Sequence, residues 1–161
     1  MSYHIYTTKG IILSAQPVRE ADRVYNILTR DLGLVRASAL GVRKAASKLR
    51  GNIEPVSLSS VSLVRGKDSW RLTSAELIKK IPAEEAIARP LALLEKLVQG
   101  EAIHPELFDV VEKSATLGVA EIDFVAQILY HLGYLKLDDL NLPKKSLVKA
   151  INEGLQNSHL T

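Results

Sequence analysis

The chain has 161 residues, 47% of them hydrophobic and 24% charged, the make-up of a globular protein with room for one ordinary domain or two small ones sharing a core. Cysteine is absent, which excludes disulfides and thiolate metal sites, and four scattered histidines make a poor start for a zinc site, so no metal and no cofactor are expected. The formal charge of +3 conceals a split: residues 1–80 carry 14 Lys and Arg against 6 Asp and Glu, a net of +8, whereas residues 81–161 carry 7 against 12, a net of −5.

In chain order, Met1-Ser2-Tyr3-His4-Ile5-Tyr6 has no charged lead before an apolar run, and no stretch approaches the ~20 apolar residues that span a bilayer. A cytoplasmic protein without a membrane partner is expected. Ile5 to Leu13 is β-branched and aromatic, predicting a strand that Pro17 closes. Arg23 to Thr29 predicts a second strand, Asp31-Leu32-Gly33 a turn, and Leu34 to Leu40 a third strand. A fourth strand begins after Pro55, and Arg65-Gly66-Lys67-Asp68 turns it into a fifth, Trp70 to Ile78. Five short strands in about 80 residues suggest a small closed barrel.

After Lys80 the texture becomes helical. Pro82 and Glu84-Glu85 suit a helix start, but Pro90 is expected to break it, so the longer helix should begin near Pro90 and carry Leu91, Leu94, Leu97 and Val98 up to Gly100. Pro105 opens a helix burying Leu107, Phe108 and Val111; another runs from Ala120 to Leu132, with Ile122, Val125, Ile128, Leu129 and Leu132 inward and Gly133 as its cap. Leu135 to Leu142 reads as a loop, and Pro143 starts a last helix with Leu147, Val148, Ile151 and Leu155 on one side. The expected fold class is α+β: a five-stranded barrel over residues 1–80, then an all-helical module over residues 81–161 packed against it.

The segment Val42 to Gly51 has four cations, Arg43, Lys44, Lys48 and Arg50, and no acid. A loop rich in Arg, Lys, Ser and Gly can lay cations and backbone N–H groups along phosphates, since each neutralised phosphate releases counterions. A solvated loop that aids solubility is the other account. Arg19, Arg23, Arg30 and Arg36 lie on or beside the second and third strands, and Arg65, Lys67 and Arg71 flank the fourth and fifth. Arg19-Glu20 and Asp22-Arg23 could instead form local ion pairs. Trp70 either stacks an unpaired base or serves the core or a barrel cap.

Enzyme motifs fail. Gly66-Lys67 ends like a phosphate-binding loop, but Asp68 stands where Ser or Thr is required and Val61 where the first glycine should be. His104 and His131 have no matching ligands, and Asp138-Asp139 lacks a third partner for a cation.

Tyr6-Thr7-Thr8-Lys9-Gly10-Ile11-Ile12-Leu13, Arg19-Glu20-Ala21-Asp22-Arg23, Leu28-Thr29-Arg30-Asp31-Leu32-Gly33, Gly41-Val42-Arg43-Lys44, Ser47-Lys48-Leu49-Arg50-Gly51 and Glu54-Pro55, closed by Ala75-Glu76-Leu77, form an ordered series of motifs. The series resembles the N-terminal domain of the RecO family of recombination mediators, and Leu107-Phe108 and Leu132-Gly133-Tyr134 continue the likeness more loosely. The resemblance implies an OB-fold that binds single- and double-stranded DNA and anneals complementary strands without bond-making catalysis. It also implies RecR and the single-stranded-DNA-binding protein as partners, and RecA indirectly, through its loading. On that reading Arg19, Arg23, Arg36, Arg43, Lys44, Lys48, Arg50, Arg65, Lys67 and Arg71 form the DNA surface. Many family members are longer and carry a cysteine zinc site after the stretch matching Leu132-Gly133-Tyr134; here a short loop leads directly to the last helix. An RNA-binding OB module of translation or ribosome assembly is the alternative that the barrel and basic loop also suit. A third is an interaction adaptor acting through its helices.

Overall fold

The computed structural model describes residues 4–43, 49, 51–98 and 100–158. Five strands, β1 (Ile5–Val18), β2 (Asp22–Thr29), β3 (Gly33–Ala39), β4 (Ser57–Arg65) and β5 (Trp70–Lys80), close into a barrel of order β1-β2-β3-β5-β4. Four α-helices follow: α1 (Glu85–Leu97), α2 (Pro105–Leu117), α3 (Glu121–His131) and α4 (Lys144–Asn157). The layout is α+β, and the barrel has the OB-fold arrangement. The chain divides into two compact units, one of residues 1–81 with 99–105, the other of residues 82–98 with 106–161.

One strand serves two neighbours. β1 pairs with β4 from Ile5 to Ile12 and with β2 from Gly10 to Val18, so residues 10–12 are bonded on both sides. Between Ile12↔Ile27 and Ser14↔Asn26 the register slips, leaving Leu13 as the extra residue of a bulge that bends the strand from one partner to the other. β1 therefore does not end at Leu13 but runs through Pro17, which pairs with Arg23 where β1 has only β2 beside it. A proline's missing N–H is tolerated on such an edge. Gly10 sits in the doubly paired stretch, where a Cβ would lie 2.6 Å from Ile27 Cγ2.

The barrel interior is filled by Ile12, Tyr25, Ile27, Val35, Ala37, Val61, Leu63, Trp70 and Leu72, and the loop residues Val42 and Ile53 plug it. Ile11, Leu28 and Leu58, register partners across β2-β1-β4, form an apolar row on the opposite face of their strands. At the β2–β3 turn, buried Thr29 donates through Oγ1 to the Gly33 carbonyl at 2.7 Å and accepts from the Leu32 N–H at 3.0 Å. Gly33 holds φ at 77°, and a Cβ there would lie 2.7 Å from the Ala102 carbonyl oxygen, so the chain returning at residues 100–105 comes close because this residue is glycine.

In the helical unit α1 and α4 both pack on α3. Pro90 does not break or restart a helix; it lies inside α1 and is buried with Ile87, Leu91, Leu94 and Leu97. The ring removes one backbone hydrogen bond but adds its own apolar surface to the buried face, and packing outweighs propensity. α3 buries Phe124, Ala126, Ile128 and Leu129, leaving Ile122 and Val125 half-buried beside Val148 and Ile151 of α4. The expected stripe was partly wrong because α3 is apolar around most of its circumference. Val148 is 42% exposed. The expected loop after Leu135 contains a short 3-10 turn, Leu137–Asn141, where the Lys136 N–H donates to Asp139 at 2.9 Å. No helix among the described residues is long and apolar enough to cross a membrane.

Gly33→Ala combines a left-handed backbone with a backbone clash, and should lower barrel stability by about 2 to 3 kcal/mol in denaturant unfolding followed by Trp70 fluorescence. Gly51→Ala, with open space around its Cβ, should change it by under about 0.5 kcal/mol.

Candidate nucleic-acid interface

Two basic loops are tied to each other. The β1–β2 connection holds Arg19 in a left-handed conformation, φ 56°. Asp22 Oδ1 accepts the Gly41 N–H at 2.7 Å, the Arg43 N–H donates to the Ala21 carbonyl at 2.9 Å, and Arg43 Nη1 donates to the Arg19 carbonyl at 3.2 Å. Arg19 and Arg43, 24 residues apart, thus share one corner. Asp22 pairs with Arg19 at 3.5 Å, so the local ion pair runs from residue 19 to 22 rather than from Asp22 to Arg23. With Arg19 largely exposed, that pair is worth about 0 to 1 kcal/mol. Buried Val42 and Ile53 and the half-buried Leu49 root the basic loop in the barrel core. Lys44, Lys48 and Arg50 lie outside the described residues.

Arg23 starts β2 and lines a cavity of ≈ 320 Å³ with Tyr25, Val42, Arg43 and Glu54. Its Nε is buried without a hydrogen-bond partner among the described residues. Burial is the main reason the Tyr25 phenol is pushed above its ordinary value; Glu54 adds to the rise, and the Arg23 charge and hydrogen bond oppose it.

Across the barrel, Ser38 of β3 stands beside Arg71 of β5, and Val64 of β4 faces Arg71 on the other side. Arg36 is two residues before Ser38 and shares its outward face. Ser38, Arg65, Lys67, Ser69 and Arg71 line one concavity of ≈ 430 Å³. Among the described residues no carboxylate forms an ion pair with Arg36, Lys67 or Arg71. Arg36 on β3 and Arg71 on β5 thus form an outward run with Lys67 of the β4–β5 loop, whereas Arg23, paired with Ala39, shares the inward parity of Tyr25, and Arg65, paired with Trp70, that of Leu63. Arg30 is apart from this run, within 3.7 Å of Asp31.

Trp70 is buried at the start of β5, in the core and cap role rather than as an exposed stacking ring. Its Nε1 donates to Glu101 Oε1 at 2.8 Å, while Glu101 Oε2 accepts from Arg65 Nη1 at 2.6 Å. The Arg65 guanidinium lies 4.9 Å from the Trp70 ring centroid, and Tyr6 meets the ring edge-to-face at 5.4 Å. Sequence reasoning missed Glu101 and Tyr6: Glu101 follows Trp70 by 31 residues, beyond a whole helix, and no local spacing pairs them. No group of three or more His, Asp or Glu able to hold a metal ion occurs among the described residues.

A family model described as "Recombination protein O N terminal" matches residues 1–81. The chain belongs to the RecO family. Among its relatives, DNA repair protein RecO of Gloeobacter violaceus is 34% identical over 132 residues, 82% of this chain and 47% of that protein. DNA repair protein RecO of Synechococcus sp. strain JA-2-3B'a(2-13) is 40% identical over 87 residues, 54% of this chain and 30% of that one. That of Dehalococcoides mccartyi strain BAV1 is 43% identical over 76 residues, 47% and 30% respectively. The chain spans between 30% and about half the length of these curated relatives. The RecO family match ends at Ile81, where the first stretch of the barrel unit also ends.

Because folding raises the Tyr25 pKa, the folded state holds that proton longer than the unfolded chain. The stability this provides is complete below the ordinary tyrosine value of 10.0 and is lost as pH rises from there through the raised value. Tyr25→Phe should flatten that alkaline loss relative to wild type in unfolding midpoints measured from pH 8 to 11.

Proposed function

We propose that this chain is a DNA-binding recombination mediator: its barrel binds single-stranded DNA, anneals complementary strands and assists RecA loading in recombinational DNA repair. The observation that carries the proposal is the outward group of Arg36 on β3, Arg71 on β5 and Lys67 of the β4–β5 loop, which have no paired carboxylate among the described residues. A sugar-phosphate chain laid across them would meet two guanidinium forks, which match phosphate geometry, and one ammonium. OB-folds bind oligonucleotides on the face of their second and third strands and the β1–β2 and β4–β5 loops, and Arg19, Arg23, Arg36 and Lys67 lie on those elements here. The relatives' name, DNA repair protein, supports DNA as the polyanion.

The work requires no bond-making step. Annealing needs the repulsion between two phosphate chains to be screened while bases stay free to pair, and a surface that grips backbone does this. RecR, the single-stranded-DNA-binding protein and, indirectly, RecA complete the proposed set of partners, with duplex DNA as a further ligand on the same surface. Arg43, Lys44, Lys48 and Arg50, the four cations between Val42 and Gly51, belong to the proposed set of DNA-contacting residues.

Replacing Arg36, Lys67 and Arg71 together by Ala should weaken single-strand binding, and the slope of log affinity against log salt should fall by about 2, from about 0.7 per lost contact. The same variant should accelerate annealing of protein-coated complementary strands less than wild type does. An unchanged slope, or tighter binding of a matched RNA oligonucleotide than of DNA, overturns the proposal.

A further inference from the structure

At the end of the barrel where β1 begins, three rings and a guanidinium stand in series. Tyr6 is opposite Leu63 in the β1–β4 register, so it shares the inward parity of that core residue, and His4 precedes it by two. His4 meets Tyr6 at 4.3 Å between ring centroids with planes 70° apart; Tyr6 meets Trp70 at 5.4 Å and 84°. Arg65, the last residue of β4, covers Trp70 at 4.9 Å. Burial decreases along the series: Trp70 is 5% exposed, Tyr6 37%, and His4 is exposed.

We propose that His4 and Tyr6 form a stacking platform for one unpaired nucleobase, so that the barrel holds a base as well as phosphates of a single strand. The inference rests on the nucleic-acid reading above. The inner end of the series is fixed: Trp70 is buried, and its Nε1 is held by Glu101 at 2.8 Å. Tyr6 bears edge-on against that fixed ring and has little rotamer freedom left to lose when a ligand arrives. The outer rings do not fill the core, so their apolar area meets water until another π-face covers it.

The platform also adjoins the phosphate track. Arg65 touches the Trp70 ring on one side and lines the concavity of Lys67 and Arg71 on the other, so one residue connects base site and backbone site. Every base has a π-face, so the site would select strandedness, not sequence. In a duplex those faces are covered by neighbouring pairs, and only an unpaired base can be splayed onto a protein ring.

The test compares a short oligothymidylate with an abasic deoxyribose-phosphate strand of the same length and charge, both titrated into the full chain. Wild type should bind the base-bearing strand on the order of tenfold more tightly, within the range that base–aromatic stacking gives. His4→Ala with Tyr6→Leu should abolish the preference and leave abasic-strand affinity and its salt slope unchanged, whereas Tyr6→Phe should keep it. Trp70 is the only tryptophan in the chain, so its emission reports on the platform without any substitution, and the base-bearing strand should change it more than the abasic one, which reaches Trp70 through Arg65 alone. Equal wild-type affinity for the two strands, or a preference retained by the double variant, overturns the platform. Failure to bind either strand overturns the nucleic-acid reading instead.

Discussion

The barrel is closed at a seam that backbone hydrogen bonding alone secures weakly. β3 and β5 share two register pairs, Ala37↔Trp70 and Ser38↔Arg71, whereas β4 and β5 share nine. Side chains must hold the rest, and Trp70 is the largest of them: buried, braced by Tyr6, and anchored at Nε1 by a carboxylate from the returning segment. The Glu101 anchor is reachable because Gly33 lets residues 101 and 102 approach the start of β3. Seam, return segment and glycine are thus one device. Arg71 takes its position from β5 at the seam itself, and Arg65 stands beside it at the end of β4, paired with Trp70.

This arrangement also sets how the positive surface is spent. Arg19 and Arg65 have carboxylate partners, but both pairs are exposed, and pairs of that kind are worth about 0 to 1 kcal/mol. A polyphosphate offers many charges at once together with counterion release, so such partners delay its contacts little. Arg65 differs from Arg19 in that its carboxylate is shared with a buried indole. Glu101 accepts from Arg65 through Oε2 and from Trp70 through Oε1, so the indole bond uses an oxygen that the ion pair does not.

The alternation of residues made the five strands legible, and the prolines made most helix starts legible, because both signals are local. The bulge at Leu13 was not, since the extra residue is defined by its partners Ile27 and Asn26 on another strand. Pro90 misled because its cost is local whereas the compensating burial with Leu94 and Leu97 is tertiary. Among the site residues, the cationic types were visible in sequence, yet their adjacency was not: Ser38 meets Arg71, and Arg19 meets Arg43, across loops of no fixed geometry. Glu101 carried no signal at all, being an ordinary acid among many in the negative half of the chain.

The acidic half has its own use for its charge. Glu121 of α3 grips Arg89 of α1 through two bonds of 2.7 Å, raising the hold on that proton chiefly by hydrogen bonding, and Glu85 stands 3.5 Å from the same guanidinium. Asp139 is committed to the Lys136 N–H. These carboxylates are therefore engaged inside the helical unit, tying α1 to α3 and shaping the turn before α4. The barrel does the reverse, leaving Arg36, Lys67 and Arg71 without such partners among the described residues. The contrast between the halves is one of deployment as well as sign: charge satisfied within the fold on one side, and three cations without an ion-pair partner among the described residues on the other.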